Sequence, residues 1–187
     1  MGTTLTAPVA FLAAAEGTER AELQHPWDAV VVQGGRPVLV SPAADKIQMF
    51  EHLDRGDTMP VDVPVAEARV QDYAGLVLPG GVANPDQLRT DPVAVAFVRS
   101  FFEAGKPVAA ICHAPWTLIE AGVVAGRTLT SWPSLQTDIR NAGATWVDEQ
   151  VVVCENGPNI LVTSRKPQDL PAYCDAFVTV FAQAANG

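Results

Sequence analysis

The sequence predicts an α/β sandwich, a mostly parallel sheet with helices on both faces. Three observations carry this. Short apolar runs without alternation, at 9–15, 37–40, 73–78 and 108–111, read as strands buried on both faces. Stretches with helical spacing of apolar residues separate several of them, which gives β–α–β order with short connections. Glycines at 34–35, 105, 122 and 143 fall where those helices should stop.

Taken in order, Val9 to Ala15 is the first strand, with Glu16-Gly17-Thr18-Glu19 as the turn after it. Thr18 or Glu19 opens a helix through Glu22, Leu23, Trp27, Val30 and Val31, ending at Gln33-Gly34-Gly35. Arg36 to Ser41 is the second strand. Residues 42–70 are polar and irregular, with 46–50 and 61–65 as candidate edge strands, since Pro60 and Pro64 argue against a central position. His52 reads as a surface histidine, and Ala66 to Val70 as a short helix or turn.

Tyr73 to Leu78 is a buried strand, and Pro79-Gly80-Gly81 directly after it exposes backbone N–H groups as an anion-binding nest. Asp91-Pro92 reads as a helix cap followed by a first-turn proline, with an apolar stripe from Val93 to Ala104. Val108 to Ile111 is the next strand, Cys112 follows at once, and Thr117 to Gly122 is a helix. Gly126 to Ser131 is a strand and Ser134 to Asn141 a helix. Val151–Cys154 and Asn159–Thr163 form a hairpin across Glu155-Asn156-Gly157-Pro158. An amphipathic helix over 168–184 ends the chain, with Cys174 in its core face.

Composition narrows the function. The 187 residues, 48% hydrophobic and 18% charged, suit one domain over 1–187 with a sizeable core. Twelve basic residues against 21 acidic give a net charge of −9, and no basic cluster occurs. That argues against nucleic-acid binding through a basic face and against attraction to an anionic membrane. No apolar run reaches membrane-spanning length, and no positive segment precedes Val9–Ala15, so no signal peptide is expected. Met1 to Thr6 fits the loose myristoylation pattern, taken here as coincidence because a core strand follows. Cys112, Cys154 and Cys174 are an odd number in unlike contexts, without metal spacing or a disulfide framework. A reducing, cytoplasmic setting is expected, with no metal and no cofactor.

The chemistry centres on Cys112. A cysteine at a strand-to-helix turn stands at a sheet's carboxyl edge beside N–H groups that favour an anion, which lowers a thiol pKa and supplies a nucleophilic thiolate. The arrangement is that of the serine nucleophile elbow, with sulfur in place of oxygen. The plainer alternative is a buried cysteine acting as a small hydrophobe. Glu16, Glu19 and Glu22 fall at or just beyond a strand's carboxyl end, where open α/β sheets place their sites. Their plainer reading is as first-turn acids favouring the helix dipole.

Three segments together resemble the ThiJ/PfpI superfamily, a flavodoxin-like relative of class I glutamine amidotransferase domains. They are Glu-Gly-Thr-Glu-Arg-Ala-Glu-Leu (16–23), Leu-Val-Leu-Pro-Gly-Gly (76–81) with Pro-Asp-Gln-Leu-Arg (85–89), and Ala-Ile-Cys-His-Ala-Pro (110–115). The stretches 121–134 and 141–148 extend the likeness over most of the chain, towards the PfpI-like branch. The resemblance implies a flavodoxin-like three-layer sandwich and a stress-response protein, an intracellular peptidase or a deglycase of carbonyl-modified residues. It implies Cys112 as nucleophile, His113 as its base, Glu22 as the carboxyl group against the thiol, and Gly81 and His113 as oxyanion N–H donors. Asp86 stands where PfpI-like members carry an acid that reaches the histidine from a neighbouring subunit. Ala114 replaces the usual glycine and Trp116 a smaller residue, so the elbow is crowded for a peptide.

Two readings follow. In one, Cys112 attacks a carbonyl and the protein is a cysteine-dependent hydrolase, with deglycation or glyoxalase-like work suiting a crowded site better than proteolysis. In the other, Cys112 is an oxidative-stress sensor, oxidised reversibly to sulfenate or further to a sulfinate bonded to Glu22. The Asp86 correspondence, with Trp116 and Trp132 read as exposed, implies a homodimer or higher homo-oligomer.

Overall fold

A computed structural model describes Leu5 and residues 7–185, so the myristoylation pattern at 1–6 lies, apart from Leu5, outside the described residues. In chain order the strands are β1 (Val9–Leu12), β2 (Glu16–Glu19), β3 (Pro37–Ser41), β4 (Lys46–Glu51), β5 (Asp54–Pro60), β6 (Val63–Pro64), β7 (Gly75–Leu78), β8 (Val108–Ile111), β9 (Thr128–Leu129), β10 (Thr145–Trp146), β11 (Val151–Cys154) and β12 (Leu161–Ser164). The helices are α1 (Arg20–Val32), α2 (Ala83–Leu88), α3 (Pro92–Glu103), α4 (Pro115–Glu120), α5 (Gln136–Asn141) and α6 (Leu170–Ala184).

Seven strands form one sheet in the order β11-β12-β8-β7-β1-β3-β6. Every neighbouring pair in it is parallel except the β11/β12 hairpin. The pleat sends alternate side chains to opposite faces. Ala10, Leu12, Leu76, Leu78, Val108 and Ala110 pack with Val98, Phe101 and Leu118 of α3 and α4. Val9, Phe11, Val77, Ala109 and Ile111 pack with Leu23, Val30, Phe177 and Phe181 of α1 and α6. Both faces of the sheet are therefore dry, which is why its strands read as unbroken apolar runs. The result is the predicted flavodoxin-like three-layer sandwich. Asp91 caps α3 as its sequence implies, its Oδ1 accepting the N–H groups of Val93 (2.8 Å) and Ala94 (3.2 Å).

The structure corrects two local readings and adds two elements that carried no pattern. Glu16–Glu19 is not a turn but strand β2, paired parallel with β4. Asp54–Pro60, read as irregular, is β5 and pairs antiparallel with β4. This outlying β2-β4-β5 sheet is anchored by Ile47 and Met49 of β4, buried in the core with Leu23, and by Arg20–Asp57 and Arg55–Glu16 ion pairs (3.0 and 3.6 Å), while most of β5 is solvent-exposed. A strand without a buried face has no alternation to read. The stretch after Gly81 folds into α2, with Asn84 turned inward, and Thr145–Trp146 adds a short parallel pair to β9. No described helix is long and apolar enough to cross a membrane.

Candidate active site

The parallel strands β1, β7, β8 and β12 end together, and the loops leaving them build the site. Cys112 follows β8 near the middle of the sheet, held by its N–H to Ser164 O (3.1 Å) and by Trp132 N–H donating to its carbonyl (2.9 Å). Its φ is +64°, a left-handed conformation that costs a side-chain-bearing residue on the order of 1 kcal/mol. The turn is sharp because α4 begins at Pro115, three residues on. The side chain is buried.

His113 Nδ1 lies 3.1 Å from Cys112 Sγ. The imidazole is stacked on Trp132, with centroids 5.7 Å apart and planes 22° from parallel, and it meets Trp116 at a tilt on 5.2 Å. Ser134 Oγ approaches its other nitrogen, Nε2, at 3.4 Å. Burial pushes the His113 pKa down, so the ring is neutral near pH 7 and free to take a proton. Trp116 is itself pinned: its indole N–H donates to Asp138 (2.9 Å), and the Arg89 guanidinium lies 4.8 Å from its ring centroid.

Glu22, on the first turn of α1, is fully buried, on the helix side that also buries Leu23, Pro26 and Val30, which excludes the solvent-facing helix-acid reading. Gly80 makes room for it, since a Cβ there would collide with Glu22 Oε2 and Cys112 Cβ. Asn84 fixes the Gly80 loop by donating to the carbonyls of Pro79 (2.9 Å) and Gly80 (3.2 Å) and accepting Ala14 N–H (2.7 Å). Burial, and then the negative charge of Glu19, push the Glu22 pKa up to about 8, against the pull of the Cys112 thiol and the Gly80 and Gly81 N–H groups. Neither carboxyl oxygen completes a well-formed hydrogen bond. Glu22 therefore holds its proton at neutral pH and can donate it towards sulfur.

The expectation of a simply lowered thiol pKa is corrected here. Burial pushes the Cys112 thiol up, and ionised Glu22 would push it further. The N–H groups of Gly81 and His113 pull it down. The two acids share one dry site and titrate as a pair, so an ionised Glu22 disfavours the thiolate and a protonated one spares it that repulsion. Gly81 (φ +84°) and His113 thus direct backbone N–H groups at the sulfur, where an oxyanion donor would have to stand.

Asp86, on α2, is not brought to the Cys112–His113 pair of its own chain. Its exposed carboxylate binds Arg89 at 2.5 Å. It lines a neighbouring cavity with Glu16, Phe50, Leu53 and Val82. The cavity over Cys112, about 180 Å³, is walled by Glu19, His52, Leu53, Gly81, Val82, His113, Trp132 and Pro167. His52 and Leu53 form the tip of the β4–β5 hairpin, with His52 at φ +58°. His52, Leu53, Ser134 and Asn84 were not singled out from the sequence as site residues. The places of His52, Leu53 and Asn84 depend on the hairpin tip and on α2, which carried no pattern, and that of Ser134 on the turn Pro133–Leu135. Among the described residues, no group of His, Cys, Asp and Glu side chains is arranged to hold a metal ion.

Comparison with known proteins agrees with this fold. The sequence model of the DJ-1/PfpI family matches residues 7–180. A protein of Thermococcus kodakarensis named as a deglycase is 40% identical over 168 residues, 90% of this chain and 96% of its own. Protein/nucleic acid deglycase 2 of Escherichia coli is 39% identical over 155 residues, 83% of this chain and 87% of its own. General stress protein 18 of Bacillus subtilis is 45% identical over 113 residues, 60% of this chain and 63% of its own. Among solved structures, a two-domain protein of Anabaena variabilis with DJ-1/ThiJ/PfpI-like and ferritin-like domains superposes with a TM-score of 0.83. It is 32% identical, over 92% of this chain and 49% of that one. With the profile match running through β1, the Gly80-Gly81 turn and the Cys112 elbow, the chain is a member of the DJ-1/PfpI family.

Proposed function

We propose that the protein is a stress-response deglycase in which Cys112 attacks the carbonyl group of small aldehyde-derived adducts on amines. The observation that carries this is the 3.1 Å contact between Cys112 Sγ and a neutral His113, beside a protonated Glu22. In the first step the S–H proton passes to His113 Nδ1 and sulfur bonds to the carbonyl carbon. The π pair moves to oxygen, where the Gly81 and His113 N–H groups receive the charge. In a hemiaminal adduct the hydroxyl proton on the neighbouring carbon passes to the oxyanion as that carbon becomes a carbonyl, its C–N bond breaks, and His113 gives its proton to the departing amine. Reversal of the sulfur addition then frees the dicarbonyl and restores the thiol. A cavity of about 180 Å³ beside Trp132 suits a small adduct better than an extended peptide. It also favours turnover over sensing, since an oxidation sensor needs the same thiol but no room for a substrate. The family relatives named as deglycases support the reaction class. The purified protein is expected to release free amine from a methylglyoxal-modified lysine derivative while leaving an unfolded protein substrate uncut. Peptide cleavage without amine release would reverse that assignment.

The active unit is a homodimer or higher oligomer in this reading. Leu53, Val82 and Trp132, which are 94%, 58% and 39% exposed, surround the cavity mouth as an apolar patch on an acidic protein. The next cavity along the patch contains Asp86, the acid expected to reach a partner's histidine. Sedimentation at micromolar concentration should give a dimer or larger species, and Leu53→Asp should shift it towards monomer. A wild-type monomer would remove the shared site from the proposal.

A further inference from the structure

The Cys112 cavity does not end at its own walls. Glu19, His52 and Pro167 also line a second cleft of about 440 Å³, whose other walls include Arg20, Gln24, His25, Glu51 and Gln168. The two adjoin across these shared walls, the first mostly apolar at the sulfur and the second more polar. At the junction stands Glu19, its side chain 12% exposed. Its Oε2 accepts the His52 N–H at 3.0 Å and lies 3.9 Å from the His52 Nδ1.

No lysine or arginine among the described residues pairs with Glu19. The neighbouring cations are already engaged. Arg20 is held by Glu51 at 2.7 Å and Asp57 at 3.0 Å, and Arg55 by Glu16 at 3.6 Å. In the cleft wall Glu19 and Glu51 outnumber Arg20, whose guanidinium Asp57 also binds, so the carboxylates leave an excess of negative charge over that cation. A carboxylate held mostly out of water, without a counter-ion, attracts cations more strongly than a solvated surface acid does.

We propose that Glu19 selects substrates by charge. On the deglycase reading above, the adduct's carbonyl sits at Cys112 while the rest of the carrier lies in the polar cleft. Glu19 favours carriers that are cationic there, such as a basic peptide or a diamine, and disfavours anionic ones such as a nucleotide. Glu19 touches the carrier and not the reacting carbon, so it sets specificity and is no part of the proton relay.

The test separates this claim from the reaction itself by using thiol reagents that need no turnover. A methanethiosulfonate reacts with the Cys112 thiolate to form a mixed disulfide and expel methanesulfinate. Cationic trimethylammonium-ethyl and anionic sulfonato-ethyl reagents differ in charge at similar reach. Modification of Cys112 is followed by peptide mass, which separates it from Cys154 and Cys174. At low ionic strength the wild type should favour the cationic reagent by roughly tenfold, through charge–charge attraction at a few ångströms. Glu19→Gln should bring the ratio close to that of an exposed thiol, whereas Glu19→Asp and Glu103→Gln should keep it. Because Glu19 also acts on Glu22, Glu19→Gln shifts both rates together, and only their ratio reports selection. An unchanged ratio in folded Glu19→Gln, or an equal fall in Glu103→Gln, overturns the proposal.

A second arm compares kcat/KM for methylglyoxal adducts of a lysine peptide with an amidated C-terminus and free α-amine against its acetylated, free-acid counterpart. Preference for the cationic carrier, lost in Glu19→Gln, extends the result to substrate. Turnover of both without preference overturns substrate selection. If neither adduct is turned over while the reagent ratio still depends on Glu19, the deglycase reading fails and charge selection at the Cys112 cavity stands.

Discussion

Cys112→Ala is expected to reduce amine release from a methylglyoxal adduct on the order of a thousandfold or more, leaving the fold intact. Every step assigned to the site begins with a bond to sulfur. No second thiol or hydroxyl lines the same cavity, where the other polar side chains are Glu19, His52, His113 and the Trp132 indole. Structurally the substitution is mild. Alanine keeps the φ of +64° that the elbow imposes, and the lost sulfur contacts cost about 1 kcal/mol of burial. Thermal unfolding should therefore move by only a few degrees while activity disappears. Turnover that survives in Cys112→Ala would place the chemistry elsewhere and remove the roles of His113 and Gly81 together.

The elbow was legible from sequence because it depends on local order. An unbroken apolar strand, then Cys-His, then a helix within a few residues leaves few geometries for the cysteine, although the helix starts at Pro115 and not at Thr117 as read. The sheet was legible for the same reason, since burial on both faces writes itself as uninterrupted Val, Leu, Ile and Ala. The β4–β5 hairpin was not. Asp-Arg-Gly-Asp-Thr-Met-Pro is an exposed edge held by hydrogen bonds and ion pairs, and neither leaves a hydrophobic period. With the hairpin went the cavity wall, because His52 and Leu53 reach the site only as its tip.

Ser134 illustrates a different limit. Its contact with His113 Nε2 crosses 21 residues of chain and depends on Trp132 stacking on the ring, and nothing in Ser-Trp-Pro-Ser announces that. Glu22 lies between these cases. Its spacing put it on the face of α1 that carries Leu23 and Val30, but a first-turn acid on that face could equally have turned to solvent. The glycine that decides it is Gly80, on another strand's loop, whose missing side chain leaves the space the carboxyl group fills.

Because Glu22 is buried and protonated, its replacement acts both on the pH dependence of stability and on the ionisation of the Cys112 thiol. The folded-state pKa, about 8, lies above the unfolded value of roughly 4.3. Between those values the folded chain holds a proton that the unfolded chain has lost, so unfolding becomes easier as pH rises. The contribution is complete below the unfolded pKa and is lost as pH climbs through the folded one, an effect of a few kcal/mol over that window. Glu22→Gln cannot ionise and so escapes the loss. It is expected to unfold at a higher temperature than wild type at pH 8.5, with the advantage shrinking towards pH 5, as differential scanning calorimetry would show. The amide can still donate to sulfur and brings no negative charge, so the Cys112 thiol should ionise at or below its wild-type pKa in Glu22→Gln. Glu22→Leu offers no donor and leaves the thiol to its burial, which raises it. Thiolate absorbance titration with Cys154 and Cys174 replaced would rank the three proteins. A stability difference between Glu22→Gln and wild type that does not change with pH would mean that Glu22 titrates as an ordinary carboxylate, and the protonated donor beside Cys112 would go with it.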